Sequence, residues 1–195
     1  MNIEAGAILD EETHTYTRDA KQKNSVSSVL NFFLPMSDFI PDDALSLGRV
    51  RHAWFHEIVQ GYKLENEPDP RIAGQIAACR LFMEQVRPAF VFGEVPLYDP
   101  ILDICGKPDL IAKIAGRMSV LDFKPPTKSK RTRLQTAAYR IMVNRSDIPG
   151  VAILDRYELR FHDDGKYRLE KHEDPDDEKR FGLMVQAFRA ATHYK

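Results

Sequence analysis

Cysteine is scarce in this chain, which carries only Cys79 and Cys105 among its 195 residues. Two thiolates cannot supply the four ligands of an iron–sulfur cluster or of an all-cysteine zinc site within one chain. A disulfide framework is equally unexpected, because such frameworks belong to short chains that are dense in cysteine. We therefore expect two reduced thiols and no iron–sulfur cluster.

Long hydrophobic runs are also missing. No stretch reaches the roughly 18 apolar residues of a membrane span, and the first residues do not resemble a signal peptide. This predicts an intracellular, cytoplasmic protein with no membrane partner. An excess of one charge is missing too, since the formal net charge is −1. A uniformly basic, DNA-coating protein is thereby excluded, whereas a local basic patch is not.

Hydrophobic periodicity divides the chain into helices and strands. Residues 1–30 predict a short β element with a turn, and residues 25–34 fit either a strand or a short helix. Helices are expected from about Ala44 to Tyr62, Pro70 to Arg87, Thr132 to Asn144, and Asp176 to the end. Strands are expected from Phe90 to Tyr98, Ile101 to Ile114 and Met118 to Phe123 as a meander, then from Val151 to His162 and Tyr167 to Lys171. This order predicts an α/β fold with a mixed sheet flanked by helices.

Two aspartates stand in neighbouring apolar runs of this pattern. Twelve residues separate Asp109, in Gly-Lys-Pro-Asp, from Asp122, in Leu-Asp-Phe-Lys. Adjacent antiparallel strands can bring two such side chains together, and paired carboxylates repel unless a cation joins them. Lys124 is two residues from Asp122 and points to the same face of a strand. Carboxylates and a lysine beside a hard divalent cation suit hydrolysis of a phosphodiester bond.

The bare pattern has a plainer interpretation. Pro-Asp occurs four times, and Asp-x-Lys also starts at Asp19, Asp164 and Asp177. A surface ion pair between Asp122 and Lys124, next to a turn carboxylate, would give the same letters. Only Asp109 and Asp122 lie at a suitable separation within apolar strands, and this context favours the catalytic interpretation.

Further motifs in the same order make the chain resemble the RecB-like branch of the PD-(D/E)XK nucleases. This branch includes phage exonucleases of the lambda type and the mitochondrial genome maintenance exonuclease. The motifs that carry the resemblance are Gly48-x-x-x-His52, Glu94 after Gly93, Gly106-Lys107-Pro108-Asp109, Leu121-Asp122-Phe123-Lys124 and Gln135-x-x-x-Tyr139, with His14-Thr15-Tyr16 and Ser27-Ser28-Val29 near the start. They span roughly residues 10–140, and each is weak alone.

The resemblance implies a role for each matching residue. The metal ligands would be His52, Asp109, Asp122, the backbone carbonyl of Phe123 and Glu94. The catalytic set would be Asp109, Asp122 and Lys124, with Gln135 and Tyr139 positioning phosphate or the active-site strand. Mg²⁺ is the implied cofactor, with Mn²⁺ as a substitute. The family often has a small polar residue after the lysine, whereas Pro125 and Pro126 follow here, which puts the local loop shape in doubt.

A basic segment follows the lysine motif. Residues 124–145 hold seven basic residues and no acidic one. The residues expected to contact DNA are Lys128, Lys130, Arg131 and Arg133, at the start of the expected helix. Phosphates favour both a basic cluster and helix N-terminal amides. A merely solvated basic loop is the alternative.

Together these features predict one PD-(D/E)XK nuclease domain over residues 1–195, with residues 1–40 as an N-terminal β/turn extension and residues 41–195 as the restriction-endonuclease-like core. The expected activity is Mg²⁺-dependent cleavage of DNA in repair, recombination or phage replication, with a recombination or replication protein as a further partner. An exonuclease is favoured by family analogy alone. An endonuclease with the same site, a non-catalytic DNA-binding subunit, and an enzyme acting on RNA or another phosphate ester stay open.

Overall fold

The computed structural model describes residues 7–11, 13, 15–35, 42–127, 129–146 and 151–192. Its helices are α1 (Val26–Phe33), α2 (Asp42–Val59), α3 (Ala73–Val86), α4 (Arg131–Arg145) and α5 (Asp177–Thr192). Its strands are β1 (Ile8–Asp10), β2 (Thr15–Arg18), β3 (Lys21–Ser25), β4 (Ala89–Phe92), β5 (Leu97–Asp99), β6 (Ile104–Gly106), β7 (Leu110–Ile114), β8 (Arg117–Lys124), β9 (Asp155–Phe161) and β10 (Tyr167–Lys171). No helix among these residues is long and apolar enough to cross a membrane.

The strands form two mixed sheets. The N-terminal sheet has the order β1-β2-β3-β6-β5, in which β3 and β6 run parallel and the other neighbours run antiparallel. The central sheet has the order β10-β9-β8-β7-β4, in which β8 and β9 run parallel and the other neighbours run antiparallel. Helix α4 makes the crossover between the parallel strands β8 and β9. The predicted α/β class with a mixed sheet flanked by helices is confirmed, although the structure has two mixed sheets where one was expected.

The central sheet is covered on both faces. Successive residues of a strand point to opposite sides, and in β8 Val120 and Leu121 enter different cores. Leu121 packs with Phe55 of α2 and Phe82 of α3. Val120 packs with residues of α1, α4 and α5, including the fully buried Leu30. The N-terminal segment therefore contributes to the same core as the central sheet.

The predicted three-strand meander is wrong in detail. The run expected from Phe90 to Tyr98 is two strands, β4 and β5, which belong to different sheets. A turn at residues 93–96 separates them, and Glu94 in it has a positive φ of 52°. The run from Ile101 to Ile114 is likewise divided into β6 and β7, because Pro108 between them has no N–H for a ladder. Asp109 thus lies directly before β7, next to the break between the two strands.

The first long helix ends earlier than expected, at Val59 instead of Tyr62. Gly61 has a positive φ of 82°, and its N–H donates to Ile58 while that of Tyr62 donates to Glu57. These two bonds form the left-handed stop that glycine favours after a helix. The hydrophobic pattern continues to Tyr62, but the backbone has already left the helix.

A set of paired charges, which we call the α5 ion cluster, joins α4, β9 and the start of α5. Its members are Arg133, Arg156, Asp174, Asp177 and Arg180. Arg156 and Asp177 are both about 1% exposed, with 3.1 Å between Nη2 and Oδ2. Arg133 Nη2 lies 2.6 Å from the other oxygen of Asp177. Arg156 also donates to the backbone carbonyls of Arg133 and Asp174, so this buried charge is held by several partners.

Candidate active site

The β7–β8 hairpin places the two aspartates opposite each other. Its register pairs Leu110 with Leu121, so the next residues outward are Asp109 and Asp122. Asp122 is 1% exposed, and Asp109 Oδ2 accepts a 2.6 Å hydrogen bond from the N–H of Phe123. The structure therefore brings together the two carboxylates that the sequence singled out, at the end of a buried ladder.

Lys124 lies beside this pair, because residues two apart on a strand point to the same face as each other. Its Nζ is 2.5 Å from Oδ2 of Asp122, but its direction of approach is not that of a hydrogen bond. Oδ2 of Asp122 is thus a buried oxygen that has an ion-pair contact and no hydrogen-bond donor. Lys124 therefore supplies the counter-charge to Asp122, and its contact with this oxygen is electrostatic.

The carboxylates have unusual acidity. Burial raises the pKa of Asp109 to about 6, although Lys124 and the Phe123 N–H oppose this shift. Burial and the charge of Asp109 raise the pKa of Asp122 to about 6, again against the pull of Lys124. Burial lowers the pKa of Lys124, but the attraction of Asp122 and Asp109 outweighs it and the net pKa is raised. One lysine therefore does not neutralise both acids.

Helix α2 brings His52 to the same place. Its Nδ1 is 3.8 Å from Oδ1 of Asp109, too far for a hydrogen bond. Burial lowers the pKa of His52, so the neutral imidazole, which can accept a cation, is favoured. The imidazole ring also lies 6.4 Å from that of Phe123, measured between centroids.

Glu94 reaches the site from the turn between β4 and β5. Its N–H donates to the carbonyl of Pro108 at 3.2 Å, which fixes the turn next to Asp109. Its carboxylate is bound by Lys107, with 3.2 Å between Nζ and Oε2. Lys107 Nζ is also 2.9 Å from Oε1 of Glu11, in the turn after β1. Glu94 is therefore close to the carboxylate pair but bound to a lysine.

Helix α4 carries the glutamine–tyrosine motif along the same side of the sheet. The side-chain amide of Gln135 donates to the hydroxyl of Tyr139 at 3.0 Å. Burial strongly raises the pKa of Tyr139, and the negative charge of Asp122 adds to this, so the phenol stays protonated. A Cβ added to Gly106 would lie 2.9 Å from Cε1 of Tyr139. The glycine of one motif thus leaves room for the ring of the other.

The basic segment is only partly free to meet DNA. Arg133 belongs to the α5 ion cluster, and Arg131 donates from Nη1 to the carbonyl of Leu34 at 3.1 Å. Lys130 is exposed just before α4. Lys128 lies outside the described residues, as does His14 of the N-terminal motif. Contact between these cations and DNA stays a prediction, with structural partners now assigned to Arg131 and Arg133.

The chemistry of the donors fits a hard divalent cation. Within the described part of the chain, no three His, Cys, Asp or Glu side chains are grouped closely enough to hold a metal ion. Mg²⁺ does not require such a cage, since it binds through one or two carboxylates together with water and substrate phosphate. Asp109 and Asp122, with one oxygen lacking a hydrogen-bond donor, meet that description. Cys79 and Cys105 are both buried free thiols.

Sequence reasoning gave no role to Lys107, Glu11 or Tyr16, which the structure places around the site. Lys107 lies inside the Gly-Lys-Pro-Asp motif, so its position was a usable signal. Glu11 is 96 residues from Lys107 in the sequence, and no local pattern indicated that it would lie near the site. Tyr16 belongs to a motif noted for resemblance alone; burial raises its pKa, and the charge of Asp109 contributes.

Comparison with known proteins supports the fold. No protein-family model matches this chain, and no curated protein matches it either. Among solved structures, it is similar to a candidate exonuclease from Eubacterium rectale, with a TM-score of 0.55, 14% identity, and coverage of 87% of this chain and 79% of that one. It is also similar to an alkaline exonuclease from Laribacter hongkongensis, with a TM-score of 0.50, 12% identity, and coverage of 88% of each chain. At these identities the likeness is one of fold, and it confirms the predicted fold: the chain has the restriction-endonuclease-like architecture that these two structures share.

Proposed function

We propose that this chain is a divalent-metal-dependent deoxyribonuclease that hydrolyses phosphodiester bonds at the Asp109–Asp122–Lys124 site. One observation carries the proposal: the buried carboxylate of Asp122 and the partly buried carboxylate of Asp109 lie at opposing positions of the β7–β8 hairpin, and Lys124 is one cation beside two acids. A purely structural ion pair would match one acid with one base, whereas here two acids share a single lysine. The two similar structures, which are described as exonucleases, support the same reaction class.

Each residue of the site has a proposed role that follows from its position. Asp109 and Asp122 would hold the metal, with the carbonyl of Phe123 and the imidazole of His52 as further candidate ligands. Mg²⁺, or Mn²⁺ in its place, would supply a Lewis acid for the phosphoryl oxygen and a more acidic water. The N–H of Phe123 holds Asp109 in one orientation through its 2.6 Å bond.

Lys124 would orient the attacking water or the scissile phosphate. Its ammonium is held by Asp122 and has a raised pKa, so it is a cation at neutral pH and a donor to the negative charge that develops. Gln135 and Tyr139, joined by their 3.0 Å hydrogen bond, would position the substrate strand from α4. The exposed Lys130, with Lys128, would bind neighbouring phosphates.

Exonuclease activity is the favoured mode because both similar structures are described as exonucleases. An endonuclease would use the same groups. DNA repair, recombination and phage replication are the proposed settings, and each would supply DNA ends.

The test is digestion of end-labelled linear DNA and of closed circular DNA in Mg²⁺, with and without EDTA. We expect loss of the linear substrate alone, abolished by EDTA, and at least a 100-fold lower rate for Asp122→Asn. Cutting of the circle would identify the endonuclease instead.

The matched control is Asp164→Asn. Asp164 also begins an Asp-x-Lys triplet and also pairs with its lysine, at 2.8 Å, but it lies in an exposed turn before β10. This variant should keep full activity. Equal activity of Asp122→Asn and the wild type, or no cleavage of either DNA in Mg²⁺ or Mn²⁺, would overturn the proposal.

A further inference from the structure

Lys107 has two carboxylate partners that come from different parts of the chain. Glu94, from the turn between β4 and β5, is 3.2 Å away, and Glu11, from the turn after β1, is 2.9 Å away. The Lys107 side chain is 19% exposed, whereas that of Glu11 is 64% exposed. The lysine is thus shared between one acid at the active site and one acid near the surface.

Glu94 is placed where its charge acts on the active site. Its backbone is bound to Pro108, the residue before Asp109, and its charge contributes to raising the pKa of Asp109 and opposes the lowered pKa of His52. In the present arrangement of the described residues, Glu94 does not form a three-group metal cluster with Asp109 and Asp122, but once released from Lys107 its side chain would add a further oxygen ligand to a cation held by them. While it is bound to Lys107, its charge is neutralised and one oxygen is occupied.

The second partner makes release of Glu94 inexpensive. A buried lysine that loses its only counter-charge suffers a large desolvation cost. Lys107 does not face that cost, because Glu11 remains bonded to it when Glu94 leaves. A substrate phosphate arriving beside Asp109 would also attract the ammonium of Lys107, at about the strength of other charged pairs.

We propose that Lys107 is a latch that withholds Glu94 from the metal site until a nucleic-acid phosphate draws the lysine away. Binding of the substrate phosphate then releases Glu94 and raises the affinity for the metal. Because this coupling is reciprocal, binding of the metal raises the affinity for the substrate by the same factor. This inference rests on the proposed function and adds a coupling between its two ligands. Lys107 and Glu11 act here as positioning residues, through Glu94.

The test measures Mn²⁺ affinity by calorimetry, which does not depend on cleavage. Lys107→Met should bind Mn²⁺ roughly fivefold or more tightly than the wild type, because Glu94 is free. Glu11→Gln should bind it more weakly, because Lys107 then has Glu94 as its remaining partner. Lys113→Met is the control: Lys113 is an exposed lysine of β7, and its removal should leave the affinity unchanged.

A phosphorothioate oligonucleotide supplies the phosphate in a second titration, corrected for its own Mn²⁺ binding. It should raise the Mn²⁺ affinity of the wild type and leave that of Lys107→Met unchanged. If the wild type binds Mn²⁺ through Asp122 but both variants at positions 107 and 11 match it, the latch is refuted and the nuclease proposal stands. If the wild type and Asp122→Asn bind Mn²⁺ equally poorly and neither cleaves DNA, both proposals fall. Because Glu11 is exposed, its variant tests the latch even if Lys107→Met does not fold.

Discussion

Two of the regions in which this molecule buries charge do so in opposite ways. In the α5 ion cluster, three arginines surround Asp174 and Asp177, and Arg156 also donates to two backbone carbonyls. At the β7–β8 site, two aspartates share one lysine, and a buried oxygen of Asp122 has no hydrogen-bond donor.

The acidities follow this difference. Hydrogen bonds from Arg180 and from the N–H of Asp176, with a smaller contribution from Arg133, lower the pKa of the partly exposed Asp174 to about 2, so the folded state favours its charged form. Burial raises the pKa values of Asp109 and Asp122 to about 6, so their charges are opposed by folding. Charges that stabilise a fold are fully paired with opposite charges, whereas charges that serve to bind a ligand are only partly paired. The contrast separates a structural cluster from a functional one without reference to any motif.

The largest expected effect concerns stability at the α5 ion cluster. Arg156→Met should lower the free energy of unfolding by about 3–5 kcal/mol, because it leaves a buried aspartate oxygen and two carbonyls without this donor. Asp122→Asn should leave that free energy unchanged or raise it, because it removes an opposed charge. Urea denaturation of both variants checks this, and an equal loss in the two would show that the clusters do not differ.

The next effect concerns metal binding. Mg²⁺ at 100 times its Kd should stabilise the wild type by about 2.7 kcal/mol, since it binds the folded state alone. The Asp122→Asn protein should gain much less, and Arg156→Met should gain as much as the wild type. Thermal unfolding with and without Mg²⁺ measures this. A shift that persists in Asp122→Asn would place the cation elsewhere.

The smallest effect is a dependence on pH. Asp122 has a folded-state pKa near 6 and an ordinary value of 3.8, so protonation favours the folded state. Its contribution is present below about pH 4 and is lost as the pH rises to about 6. The stability of the wild type relative to Asp122→Asn should therefore fall across this window, by on the order of 1 kcal/mol. Denaturant titrations at pH 4, 5 and 6 test it. A wild type that became more stable relative to Asp122→Asn as the pH rose would contradict the raised pKa.

Most helices and strands could be predicted from the sequence, because the spacing of hydrophobic residues indicates which side of each element is buried. The strand from Tyr167 to Lys171 was predicted at its exact bounds, where a turn with Gly165 fixes the start. The division into two sheets was not predicted. It depends on Pro108 and on the turn at Glu94. The signals for both breaks, Gly93 with Pro96 and Gly106 with Pro108, are present in the sequence, but they were placed inside longer strands.

The site was readable where its parts are close in sequence. Asp109 and Asp122 face each other because one short hairpin sets their register. Arg133 was expected to contact DNA from its charge alone, and the aspartates that bind it are 41 and 44 residues away. Lys107 and Glu11 meet only when the N-terminal sheet forms, so no local pattern could join them.

The absence of a side chain at Gly106 links two positions that are far apart in the chain. Any larger residue there would meet Cε1 of Tyr139 at 2.9 Å and a methyl group of Val26 at 3.1 Å. Because the tyrosine is buried, it cannot swing into solvent to make room. Positions 106 and 139 are therefore expected to vary as a unit among related chains: a bulkier residue at 106 calls for a smaller ring at 139, and neither position can be exchanged by itself.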